Sequence, residues 1–84
     1  MALCKKNEYV VRSGMQVIAV RKDWGAAQES VDKWIKELAR IGQHWQRTRA
    51  QTHKNPAGES IHATYHYIGD RPGALMTITI NRGS

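Results

Sequence analysis

Phenylalanine is absent from the 84 residues, cysteine occurs once and proline twice. Each scarcity removes a class of protein. A lone Cys4 closes no internal disulfide, which excludes a small secreted scaffold held by bridges and fits a reducing cytoplasm. No apolar stretch follows the two lysines of Met1 to Asn7, so a secretory signal is not expected, and nothing in the chain approaches the ~20 apolar residues of a membrane span. Without phenylalanine, the aromatic part of any core falls to three Trp and three Tyr. Acidic residues are also scarce, seven against thirteen Lys and Arg, and the resulting charge of +6 with a pI near 9.9 favours partners of negative charge.

A chain of this length holds one small core, so residues 1–84 are read as a single basic domain, with 1–7 frayed at its start. From Glu8 to Lys22 the β-branched residues Val10, Val11, Val17, Ile18 and Val20, broken by Ser13-Gly14, predict two short strands. Asp23 then offers an N-cap. Ala27, Val31, Trp34, Ile35, Leu38 and Ile41 recur at helical spacing, and Gly42 supplies a stop. Beyond it the period changes to two, over His44 to His53, Glu59 to Ile68 and Ala74 to Arg82, with turns at 54–58 and 69–73. Ile61, Ala63, Tyr65 and Tyr67 share one face of the second of these strands and His62, Thr64 and His66 the other; Met76, Ile78 and Ile80 likewise oppose Thr77, Thr79 and Asn81. The fold class predicted is α+β: two layers, one amphipathic helix on a mainly antiparallel sheet of four or five strands, in the order β-β-α-β-β-β.

The surplus charge is not evenly spread. Residues 1–22 carry +4 and residues 44–84 carry +3, whereas the helical stretch 23–43 carries −1. An acid-rich helix face is a poor reader of a DNA major groove, which argues against a helix-turn-helix. The sheet is the better surface. Regular alternation over 44–53 would point Trp45, Arg47, Arg49 and Gln51 the same way, beside His62, Thr64, His66, Thr77, Thr79 and Asn81. Arg47, Arg49, Lys54 and Arg71 are then candidates for phosphate contact, and Trp45, His62 and His66 for base or sugar contact. Were Trp45 turned inward, the arginines would shift with it and the patch would be split.

Other chemistries find less support. His62 and His66 would ligate one metal on a helix, but on a strand they stand ~13 Å apart, so neither a metal nor any other cofactor is expected. His62-Ala63-Thr64-Tyr65 is similar to the H-x-T-x element of the two-histidine phosphoesterases, in which two such elements hold a phosphate. Only one is present, neither His44 nor His53 completes a second, and no residue role is carried over. Four histidines with nearby arginines suit a small ribonuclease in residue type, while Ser13, Ser30 and Ser60 sit in no nucleophile motif. Trp24, at the helix entrance, is a candidate protein-interface anchor, and edge strands offer a route to a homodimer. Three readings follow: a non-catalytic binding module for nucleic acid or a nucleoprotein, a protein-docking inhibitor or adaptor of the phage or mobile-element type, and a small ribonuclease. Binding is the expectation placed first.

Overall fold

The computed structural model describes residues 8–83. Residues 1–7, where fraying was expected and where Cys4 lies, fall outside the described residues. Strands β1 (Tyr9–Ser13) and β2 (Gln16–Arg21) form a tight hairpin, whose turn requires the left-handed backbone of Gly14 at φ 61°. Helix α1 runs Trp24–Arg40. The Asp23 carboxylate accepts from the Ala26 N–H at 2.7 Å and satisfies one of the helix's orphan donors. At the other end Gln43 N–H reaches back to the Leu38 carbonyl and Gly42 N–H to that of Ala39, a Schellman closure made possible by Gly42 at φ 89°.

Strands β3 (Trp45–Lys54), β4 (Ser60–Gly69) and β5 (Leu75–Arg82) follow as a meander. Strand β5 also pairs with β1, so the sheet order is β2-β1-β5-β4-β3, antiparallel throughout. The fold is thus α+β in two layers, with five strands and one helix. No helix among the described residues is long and apolar enough to cross a membrane.

The core lies between α1 and one sheet face. Val11, Ile78, Ile80, Ala63, Tyr65 and Tyr67 from the sheet meet Ala27 and Val31 from the helix. Trp34 and Ile35 flank them half-buried. Complete burial of Ile78 and Ile80 contributes about 1.5–3 kcal/mol each. One member of the expected helix stripe departs from it: Ile41 is the C-cap residue, already off the helical path, and is 71% exposed. Val10 is also buried, yet it shares the opposite face with its cross-strand neighbours Val20 and Asn81.

Both edge strands are interrupted. The β1–β2 register admits Ile18 as an extra residue in β2, and the β3–β4 register admits Thr48 as an extra residue in β3. Such bulges twist an edge and make it a poorer template for a second chain. The Thr48 bulge also overturns the regular alternation expected of this strand. Arg47 stands opposite Tyr67, on the helix side, whereas Arg49 stands opposite His66, on the open side. One inserted residue therefore lets Trp45 pack inward while Arg49 and Gln51 remain outward. The patch is split, and the two arginines do not move together.

Candidate nucleic-acid interface

Cross-strand pairing arranges the side chains of the open face in rows. The first row runs Val20, Val10, Asn81, His62, His53 across β2, β1, β5, β4 and β3. The second runs Val17, Arg12, Thr79, Thr64, Gln51. Thr77, His66 and Arg49 make the third, and Leu75, Ile68 and Gln46 the fourth. Two guanidiniums, three imidazoles, hydroxyls and amides thus share one surface.

Its electrostatic character follows from a property of the strands as a set. None of the five contains Asp or Glu, yet together they contain Arg12, Arg21, Arg47, Arg49, Lys54 and Arg82. The acids sit elsewhere. Glu8 precedes β1, Asp23 caps the helix, Glu29, Asp32 and Glu37 lie on it, and Glu59 and Asp70 occupy turns. Glu59 is engaged there by the Asn55 amide at 3.1 Å and by Arg82 at 3.5 Å, which hold its carboxyl below the usual range.

Within the first two rows the side chains are linked. The His62 Nδ1–H donates to the Asn81 Oδ1, and the Thr64 hydroxyl donates to His62 Nε2 at 3.1 Å. Across the strand pair, the His53 and His62 rings lie 5.5 Å apart at 36°. His62, Thr64 and Asn81 are half-buried, while His53 and Arg49 are exposed.

Arg47 has a different role. Its guanidinium lies 4.4 Å from the Tyr65 ring centre and donates to the Tyr67 hydroxyl from Nη2 at 2.8 Å and from Nε at 3.1 Å. The same Nη2 is 3.4 Å from Asp32 on the helix. Burial pushes the Tyr67 phenol above its ordinary value, and Arg47 opposes that shift. This arginine ties β3 to α1.

The residues picked out from sequence therefore divide. Arg49, His62 and His66 come together on the open face; Lys54 ends β3 at its rim. Trp45 is half-buried against the core, its ring beside Gly69, with the indole N–H buried. Arg71, in the β4–β5 turn, lines a concavity of about 300 Å³ with Trp45, His44 and Gly69, away from the rows. Trp24 packs edge-on against Tyr9 at 5.5 Å, so it supports the core rather than standing free. Arg12 was overlooked, because Val10 and Val11 are both apolar and only the pairing of Arg12 with Thr79 of β5 assigns it to the open face. Among the described residues no cluster of His, Cys, Asp and Glu has the geometry to hold a metal. Comparison with protein families, curated proteins and solved structures finds no match for the chain.

Proposed function

We propose that the open sheet face binds single-stranded nucleic acid. The observation that carries this reading is the complete absence of carboxylates from the five strands, whose open face presents Arg12 and Arg49. Arg12 and Arg49 contact phosphates on the face and Lys54 does so at the rim. Thr77, Thr79, Asn81 and Gln51 supply neutral donors to phosphate, sugar or base edge, and the His53 and His62 rings offer a stacking surface in place of Trp45. Five strands at ~4.8 Å spacing make a surface about 19 Å across. That is too broad for a major groove of ~12 Å, whereas a single strand lies across it without hindrance.

A fluorescence-anisotropy titration with single- and double-stranded RNA and DNA at rising salt tests the proposal. Three phosphate contacts, from Arg12, Arg49 and Lys54, give a log–log salt slope near −2.1 for a single strand, and Arg49→Ala lowers its magnitude by about 0.7. Absence of binding at low salt to all four probes sinks the reading. So does binding that Arg12→Ala and Arg49→Ala leave unchanged.

A further inference from the structure

We propose that one end of the domain, where the β1–β2 turn, the α1–β3 connection and the β4–β5 turn meet, docks onto an anionic membrane surface. This goes beyond the nucleic-acid reading and does not depend on it. Among the described residues, the large apolar side chains that stand exposed are Met15 at 98%, Leu75 at 75%, Ile41 at 71% and Ile68 at 42%. All four belong to this end. Met15 lies in the β1–β2 turn, Ile41 follows the last turn of α1, and Leu75 opens β5 directly opposite Ile68, near the end of β4. The Gly14 N–H donates to the Thr77 carbonyl at 3.0 Å, which holds the hairpin tip beside the start of β5. The opposite end, where Tyr9 pairs with Arg82 and reaches Ser60, has none of them.

The fold has no use for these side chains. Small polar residues are the usual occupants of a hairpin tip, yet Met15 stands there in solvent. Leu75 and Ile68 sit on the sheet face away from α1, where they add nothing to the core. None of the four lines the concavity at this end, whose walls include His44, Trp45, Gly69 and Arg71. They project as separate knobs and do not close a groove.

Shape, area and charge together select the occupant. Strands β3 and β4, ten residues each, run ~33 Å along the domain, so of its 39 × 26 × 20 Å extents the end is the 26 × 20 Å face. A second copy or another protein seated there covers on the order of 500 Å² a side, against ~800 Å² for a standard interface, and needs a hollow to match each knob. A bilayer needs no such match, because lipid closes around any apolar side chain that enters the headgroup boundary. Arg40 and Arg71 lie at the end itself, and Arg12 and Arg49 border it on the open face. The facing acids are Asp70 and Glu37, the second held by Arg40 at 3.3 Å. A positive surplus beside apolar knobs matches anionic headgroups over acyl chains. Docked this way, the strands stand upright on the membrane and the open face stays clear of it.

Flotation of the full chain with vesicles of ~30% phosphatidylserine in phosphatidylcholine, and with phosphatidylcholine alone, tests the proposal. The chain is expected to float with the anionic vesicles at low salt, more weakly as salt rises, and least with the zwitterionic ones. Met15→Ser combined with Leu75→Ser lowers the partition by about tenfold or more, whereas Met15→Leu combined with Leu75→Met retains it. Both positions are exposed, so neither pair of changes removes a core residue. Absence of flotation with the anionic vesicles overturns the proposal, and a chain that fails to float yet binds oligonucleotide leaves the nucleic-acid reading standing. Flotation that the double serine variant leaves unchanged also overturns it, since charge alone then makes the contact. So does sedimentation equilibrium that shows a dimer in the parent and a monomer in that variant, which assigns the end to a second copy.

Discussion

Replacement of Arg47 by alanine separates two arginines that the sequence makes look alike. In the folded protein, the substitution leaves the Tyr67 hydroxyl without the donor it meets at 2.8 and 3.1 Å, in a residue only 3% exposed. An unsatisfied buried hydroxyl costs about 1–3 kcal/mol. Loss of the guanidinium over the Tyr65 ring, 4.4 Å away, adds about 0.5–2 kcal/mol. The contact with Asp32 is solvent-exposed and counts for about 0–1 kcal/mol. A total near 2–4 kcal/mol is a large share of the roughly 4–13 kcal/mol expected of a domain this size. The Tm falls by about 10–25 °C. Arg49→Ala, at an exposed position, stays within about 0.5 kcal/mol of the parent. Urea unfolding followed by tryptophan fluorescence measures both, and a cycle with Tyr67→Phe isolates the pair, for which a coupling near 1 kcal/mol is expected. Equal stability of the Arg47→Ala and Arg49→Ala variants refutes the bulge-split assignment of the strand.

Two further perturbations bear on the same corner of the molecule. A Cβ on Gly69 would lie 2.9 Å from that of Ala74 and 3.2 Å from the Trp45 ring, so Gly69→Ala costs about 1–3 kcal/mol in chemical unfolding, and a second change, Ala74→Gly, recovers part of it. Because the phenol of Tyr67 titrates above its unfolded value, its contribution is complete below the ordinary tyrosine pKa of ~10 and is lost as pH rises through the folded value. Stability measured from pH 8 to 12 therefore declines, and Tyr67→Phe removes that part of the decline.

The legible parts of this chain were those governed by period. Ala63 to Tyr67 and Met76 to Asn81 alternate without interruption on the face they define, while Ile61 falls at a second irregularity of the β3–β4 register, and α1 carries its cap, its stripe and its glycine stop in order. Both faces of β4 and β5 followed from that. Strand β3 was not legible, because WQRTRAQTHK has one strongly apolar residue and offers no pattern from which to locate a bulge. The helix face claims Trp45 and the opposite face keeps Arg49; an insertion at Thr48 reconciles the two, and this is visible only in the register with β4. Trp24 was ambiguous for a related reason. Its partner is Tyr9, at the far end of the β1–β2 hairpin, and only tertiary packing brings the two rings together. The hydrogen-bonded run Asn81–His62–Thr64 depends on the pairing of β4 with β5, and no local spacing announces it.

Amide chemical-shift mapping with a single-stranded oligonucleotide tests the central claim, that ligand sits on the face opposite α1, most directly. The largest changes are expected at Arg12, Arg49, Gln51, His53, His62, Thr64, His66 and Thr79, with the exposed helix positions Glu29, Lys33, Lys36 and Arg40 unmoved. Changes concentrated on those helix positions, or an unaltered spectrum at saturating oligonucleotide and low salt, contradict it.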